Sequence, residues 1–383
     1  MTPAARWAAA ATVLDQIEAG EPAEKALTTW ARKSRFAGSR DRAAIRDHVF
    51  DILRCWRSTA ALGGGTTGRA RVLGRVRQIG EDPDMVFTGD GYALAPLTDA
   101  ERSAGEQPVG AAACDLPDWI YDICANDLGE DVHATAEALR HRAAVFLRVN
   151  LLKADRDSAQ SALAAEGIIT QPHPLSDAAL EVTEGARKVA QSRAFQTGLV
   201  ELQDVASQAV VDALPVRPGQ RCLDYCAGGG GKTLALAARL KGPVHAHDAD
   251  PRRMSDLPNR AERAGAQVTT VARPKGLYDL VLCDVPCSGS GSWRRAPEGK
   301  WRLTPDRLQA VTQVQADILD HVAGLVAPDG TLAYATCSML RRENEDQITR
   351  FLARHEEWTC TTQTRFGLEA GGDGFFVAIL TRI

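Results

Sequence analysis

The chain has 383 residues, 44% hydrophobic and 25% charged, which is enough for two or three domains of about 150 residues each. Its 45 Lys and Arg against 49 Asp and Glu leave a net charge of −4 and exclude a uniformly basic, indiscriminate nucleic-acid coat. No stretch reaches the ~18 uninterrupted apolar residues of a membrane span, the first twenty residues lack the basic-then-apolar order of a signal peptide, and the nine cysteines are an odd number, so a cytoplasmic protein with reduced thiols is expected.

From residue 4 to about 80 the chain is rich in Ala, Leu and Arg and broken only at SRFAGS and LGGGTTG, which predicts helices. In SRDRAAIRDHVFDILRCWR, residues Ile45, Val49, Ile52 and Leu53 recur at helical spacing and leave the arginines facing outward. Between Arg32 and Arg77 stand twelve Lys or Arg against only Asp41, Asp47 and Asp51, either a solvated face or an electrostatic footprint for RNA phosphates. LPDWIYDICANDLG starts a further helical stretch that runs to about His141, so residues 1–140 read as a helical domain. Next, AVFLRVNLLKA gives an apolar β run, DRDSAQSALAAEG a helix and the neighbourhood of Leu180 more short strands, a small α/β domain over 141–195.

Residues 196–383 alternate. RCLDYCA, GPVHAHDAD, QVTTVARPKGLYD, YDLVLCDVP, GTLAYATCS and GFFVAILTRI read as strands or strand-bearing segments. Between them KTLALAARL, RRMSDLPNRAERAGA (running through Pro258), PDRLQAVTQVQADILDHVAGLV and RENEDQITRFLARH read as helices. This rhythm predicts a doubly wound, Rossmann-like sheet.

The turn after the first of these strands, DYCAGGGGKT, ends like a phosphate-binding loop. Five positions before Gly231, where such a loop requires glycine, stands Cys226. The loop therefore misses its first required glycine, which alone does not exclude a nucleotide, and Gly228, Gly229, Gly230 and Gly231 let a ligand approach the backbone off the strand ends. Asp248, about 20 residues on, suits ribose hydroxyls. Two other strand ends carry Cys287, in CDVPCSGSGSWRRAPEGKW, and Cys337, in YATCSMLRRENED, each followed by Ser. A thiolate adds readily to an electron-poor carbon. Addition at C6 of cytosine makes an enamine whose C5 can attack a methyl sulfonium, and loss of the C5 proton then expels the cysteine. Cys222 with Cys226 and Cys283 with Cys287 are also spaced C-x₃-C, but a structural zinc site closes on tight turns rather than within strands. No metal is expected.

CAGGGGKT, DVPCSGSGSWRRAPEGKW and YATCSMLRRENEDQI resemble, in order and spacing, the AdoMet-binding loop and the two cysteine motifs of the RNA cytosine-C5 methyltransferases. This is the family of the bacterial 16S rRNA enzyme and the eukaryotic nucleolar and Sun-domain proteins. FLRVNLLK, FQTGLVELQDVASQ and the final DGFFVA also look like family segments, and the resemblance covers nearly all of 145–380. The N-terminal helices resemble a NusB-type RNA-binding domain. The resemblance implies an α/β fold in which a Rossmann-like AdoMet-dependent methyltransferase domain follows a small α/β RNA-binding insert and an all-helical NusB-like domain. It implies S-adenosyl-L-methionine (AdoMet) as cofactor, RNA, an rRNA above all, as partner and substrate, 5-methylcytosine as product, no membrane and a monomer.

The resemblance further implies Cys337 as the nucleophile and Cys287 as the thiol that assists product release. The sequence leaves their order open, because DNA cytosine-C5 enzymes attack with the cysteine of their Pro-Cys. Around the cofactor it places Cys226, Ala227, Gly228, Gly229, Gly230, Gly231, Lys232, Asp248 and Asp284, the last toward the cofactor or the cytosine edge. Lys232 and Lys300 read otherwise as solvated lysines, and Arg294 and Arg295 as phosphate contacts. Two departures stand out. Gly228 and Gly229 replace the usual Ala and Pro, and Arg273 stands where the family puts an Asp near the adenine. The second leaves room for another reading, a non-catalytic RNA-binding assembly factor with a degraded AdoMet site.

Overall fold

The computed structural model describes residues 1–383, and none of its helices is long and apolar enough to cross a membrane. Residues Met1–Arg142 with Trp293–Arg302 form one unit, and Ala143–Ser292 with Leu303–Ile383 form another.

The first unit is helical. Its opening helix, Pro3–Glu18, starts where the Thr2 side chain accepts from Ala5 N and a proline occupies the first turn, the combination that satisfies a helix N-terminus. Ser39–Arg54 buries Ile45, Val49, Ile52 and Leu53, which join Val13, Leu14, Val72 and Leu73 in one core. The helices Trp56–Gly63 and Gly68–Gln78 cross with their backbones almost touching. A Cβ added to Gly74 would lie 1.8 Å from the Thr59 carbonyl oxygen, and one on Gly63 the same distance from that of Ala70.

The arginine face is outward only in part: Arg40, Arg42 and Arg46 of the helix Ser39–Arg54 are exposed, while arginines further along the basic stretch turn inward. Arg54 and Arg71 are 6% and 3% exposed. Arg54 Nε donates to Arg294 O at 2.7 Å, Arg71 pairs with Glu18 at 2.8 Å and lies over the Trp56 ring, and Arg69 pairs with Glu101. Arg77 donates to the carbonyls of Leu62 and Ala104. A guanidinium carries five donors on a long apolar stem, so it can saturate helix-end carbonyls inside a small core. The same packing takes in Trp293–Arg302. Trp293 is buried, Trp301 Nε1 donates to Leu53 O, and Lys300, 1% exposed, donates to Arg54 O at 2.9 Å. Burial lowers the Lys300 ammonium to about 8. Lys300 is thus a core residue of the helical unit rather than a solvated lysine, and Arg294, 6% exposed, is likewise no open phosphate contact.

The second unit holds two sheets. In the smaller, β1 (Val145–Val149), β2 (Ile169–Pro172), β3 (Ala179–Glu184) and β4 (Val200–Leu202) pair antiparallel in the order β2-β3-β1-β4. The helix Arg156–Ala165 covers it with Ala159 and Leu163. Its last strand lies beyond residue 195, where the sequence rhythm puts the boundary.

The larger sheet contains β5 (Cys222–Asp224), β6 (Val244–Ala246), β7 (Val268–Thr270), β8 (Tyr278–Asp284), β9 (Val326–Thr336), β10 (Trp358–Phe366) and β11 (Phe375–Arg382), in the order β10-β11-β9-β8-β5-β6-β7. From β7 to β9 the pairing is parallel, and β11 and β10 add antiparallel. The strand β10 escapes the sequence reading because it is a half-solvated edge of Thr, Gln and Arg. Pro258 lies in the first turn of the helix Leu257–Ala264, so that helix begins at the proline instead of running through it.

The close helix crossing yields a test. Gly74→Ala should lower the unfolding free energy by roughly 1–3 kcal/mol through overpacking against backbone that cannot move aside, read as a lower thermal midpoint. An unchanged midpoint would mean that the two helices do not meet at Gly74.

Candidate active site

The crossovers from β5 run one way to β6 and β7, while β8 leads the other way to β9, so a crevice opens off the carboxyl ends of β5 and β8. The glycine loop lines it. Gly228 and Gly230 have φ of +51° and +80°, and a Cβ on Gly230 would lie 2.2 Å from Leu257 Cδ1. Glycine is required there twice over, by conformation and by space. Asp248, 4% exposed, staples the loop: Oδ2 accepts from Gly228 N and Oδ1 from Asp250 N, both at 2.9 Å, and Arg253 Nη1 lies 3.2 Å from Oδ2. Ala227 N donates to His247 O, which ties the loop to the chain after β6. Cys226 is half-buried, and burial pushes its thiol above the ordinary range.

Lys232, 6% exposed and so not solvated, reaches across from the helix Gly231–Leu240. Its Nζ pairs with Asp284 Oδ2 at 2.8 Å and lies over the Phe375 ring. The sequence reading passes over Asp224, the last residue of β5. Thr233 Oγ1 donates to its Oδ2 at 2.7 Å, whereas its Oδ1 is buried without a partner, and burial raises this carboxyl to about 7. An acidic residue immediately before a glycine-rich turn is the signal that could have found it. Arg148, from FLRVNLLK, is buried and donates to Gly231 O, so the smaller sheet supports the start of the same helix. Arg273 is exposed just after β7.

The two cysteines meet. β8 and β9 are adjacent and parallel, with Asp284 opposite Ala335. Three residues past Asp284 and two past Ala335, Cys287 Sγ and Cys337 Sγ lie 3.3 Å apart, both half-buried. The hydrogen bond to Cys337 and then burial push the Cys287 thiol well above its ordinary range, and either sulfur can serve as donor of the pair. Cys222 and Cys283, by contrast, are buried within β5 and β8.

What holds the two cysteine loops together is Glu343, fully buried in the short turn Arg341–Glu343. Its carboxylate accepts from Ser288 N at 2.8 Å, from Gln315 Nε2 at 3.0 Å and from the hydroxyls of Ser288 and Ser338. Ser288 and Ser338 each follow one of the cysteines. Ser290 Oγ lies 3.0 Å from Ser338 Oγ and accepts from Met339 N. Gln315 Nε2 also donates to Pro286 O, and Tyr334 OH to Glu343 O. Gly291 completes the seam: its N donates to Cys337 O at 3.0 Å, and a Cβ on it would lie 1.9 Å from Gly374 O. In the sequence, Glu343 sits in RRENED, which reads only as the solvated start of a helix.

Residues 211–380 match the model of the 16S rRNA methyltransferase RsmB/F family, and residues 116–189 match the ferredoxin-like domain of RsmF/B-like methyltransferases. The chain is 33% identical over 285 residues to the ribosomal RNA small subunit methyltransferase B of Citrobacter koseri, covering 70% of this chain and 66% of that protein. It is 31% identical over 284 residues to that of Photorhabdus laumondii, with the same two shares. The chain therefore spans about two thirds of the length of these relatives. Among solved structures, PH0851 superposes over 100% of this chain and 99% of its own with a TM-score of 0.79 at 23% identity. NSun6 from Pyrococcus horikoshii with SFG covers 68% of this chain and 97% of its own, with a TM-score of 0.62 at 18% identity. Both share the fold.

Two tests follow from the site. Asp224 is raised in the fold above an ordinary unfolded carboxyl, so the folded state binds more protons across the interval, and its contribution to stability falls as pH rises from about 4 to about 7. Asp224→Asn should flatten that part of the pH–stability curve, measured by urea titration, and a curve that keeps its slope would refute the assignment. Glu343→Gln replaces an acceptor oxygen by an NH₂ that faces donors, which should cost roughly 1–3 kcal/mol. AdoMet affinity measured by calorimetry should stay near that of the parent, because the glycine loop is untouched.

Proposed function

Because the chain belongs to the RsmB/F family of 16S rRNA methyltransferases, we propose that it methylates C5 of a cytosine in RNA, an rRNA foremost, through a covalent bond from Cys337 to C6. The observation that carries this reading is the 3.3 Å approach of two thiols at the ends of neighbouring parallel strands. A free cysteine packs as a small hydrophobe, and its reactivity rather than its packing usually decides where it is kept.

The glycine loop fits AdoMet. Asp224 offers a buried carboxylate oxygen without a partner to a cationic group, and the positive-φ glycines leave room for a ligand against the backbone. Cys226, Ala227, Gly228, Gly229, Gly230, Gly231, Lys232, Asp248 and Asp284 would surround it. With Asp248 already stapling Gly228 N and Asp284 already holding Lys232, these two carboxylates would shape the cradle as well as touch the cofactor. When bound, AdoMet supplies an electrophilic methyl group.

The thiols carry the rest. A target cytosine must be unstacked, because addition at C6 needs the face of the ring. In this reading Cys287 is the donor of the thiol pair and Cys337 the sulfur that attacks. As Cys337 gives its thiol proton to a base and its Sγ bonds to C6, the C5=C6 π pair shifts to C5 and makes that carbon nucleophilic. After C5 has gained the methyl group, its proton passes to a base and the C–H pair re-forms C5=C6. The Sγ–C6 pair then returns to Cys337 sulfur, where the hydrogen bond from Cys287 receives it.

This division of labour is testable on a denaturing gel after incubation with AdoMet and cellular RNA. Cys337→Ala should abolish both turnover and covalent adducts. Cys287→Ala should accumulate a shifted, nuclease-sensitive band, because an intermediate builds up when its breakdown is slower than its formation. An adduct with Cys337→Ala and none with Cys287→Ala would reverse the roles.

A further inference from the structure

Of the twelve cations between Arg32 and Arg77, eight donate into the fold: Arg42, Arg46, Arg54, Arg57, Arg69, Arg71, Arg75 and Arg77. The other four, Arg32, Lys33, Arg35 and Arg40, are all exposed. They fall within nine residues that contain no acid, and Phe36 sits among them. Phe36 is 71% exposed, and its ring lies parallel, within 18°, to that of Tyr92, which is 85% exposed, at a centroid separation of 6.4 Å.

Neither ring is placed there by the core. Phe36 projects from the turn between the helices Ala23–Lys33 and Ser39–Arg54, a turn held by its own backbone through Ala37 N to Ser34 O and by Arg42 Nε donating to Ala37 O. Tyr92 projects from a turn closed by Gly89 N to Leu94 O and Ala93 N to Asp90 O. The nearest carboxylate in sequence, Asp41, is occupied by Arg6 at 2.9 Å and by the chain's amino terminus at 3.3 Å. Two large rings kept in water among unpaired cations match what single-stranded nucleic acid needs: charges that follow the phosphates and π-faces on which bases stack whatever their sequence.

We infer that Phe36 and Tyr92, with Lys33, Arg35 and Arg40, form a stacking platform for unpaired bases of RNA. The inference rests on the RNA reading above and adds a binding site to it. Duplex RNA keeps its bases stacked inside and offers this platform only phosphates, so the site selects single strands.

The test uses the full chain and a fluorescein-labelled, twelve-nucleotide oligouridine, with anisotropy read across a salt series. Phe36→Ala with Tyr92→Ala should weaken binding about tenfold and leave the salt slope unchanged. Lys33→Gln, Arg35→Gln and Arg40→Gln together should reduce the slope of log affinity against log salt by about 2, at about 0.7 per phosphate contact on a single strand. Both side chains are exposed, so thermal midpoints should match the parent. Parental affinity in the aromatic double variant would overturn the platform, as would a loss seen only on protein-containing ribosomal particles, which would assign the surface to a protein partner. Methyl transfer to total rRNA run in parallel separates the two ideas. A parent chain that binds the oligonucleotide through these rings but transfers no methyl group refutes the proposed function and leaves the platform standing, whereas full transfer with unchanged binding in the double variant refutes the platform alone.

Discussion

A single buried carboxylate governs the thiol site. Glu343 sits where two loops that are 50 residues apart in sequence converge, and the four donors it accepts are neutral amides and hydroxyls drawn from both loops and from the helix Pro305–Ala323. An ion removed from water is costly unless its lone pairs are filled, and here they are filled by groups that belong to Ser288 and Ser338, the immediate neighbours of Cys287 and Cys337. The carboxylate is comfortable only when both loops are in place. The spacing of the two sulfurs is therefore set by a hydrogen-bond network, and not by the flexible reach of two turns.

A second constraint acts across the crevice. Asp248 closes the glycine loop from below, Lys232 links that loop to the end of β8 through Asp284, and Asp284 lies three residues from Cys287. The cradle proposed for AdoMet is thus tied to the end of β8, from which the Cys287 loop departs toward Cys337 at the end of β9. Asp224 differs from its neighbours in keeping one oxygen unsatisfied. Such an arrangement costs stability in the free protein and is the kind of strain a binding site tolerates.

Much of this was legible in the sequence, for physical reasons that also mark where legibility stops. Strands such as YDLVLCD are covered on both faces and so appear as apolar runs, which makes the doubly wound rhythm visible. The edge strand Trp358–Phe366 has a solvated face and carries no such mark. The glycines and both cysteines stand out because a run of four glycines and two Cys-Ser pairs all fall at strand ends on the side where a ligand would lie. Glu343 does not, since a carboxylate in RRENED looks solvated until the loops that donate to it are folded against it. The basic stretch misleads in the opposite direction. Composition counts charges without knowing that Arg54, Arg71 and Arg77 are consumed by carbonyls and a carboxylate, and only the fold shows that the four free cations cluster around Phe36.

The central claim is that Cys337 forms the covalent bond. It is tested most directly by incubating the unmodified chain with AdoMet and an RNA substrate in which the target cytosine carries fluorine at C5, so that no C5 proton is available for elimination. Peptide mass spectrometry after nuclease and protease digestion should find the methylated fluoropyrimidine on the peptide containing Cys337. Its attachment to the Cys287 peptide, or methylation without any adduct, would contradict the account.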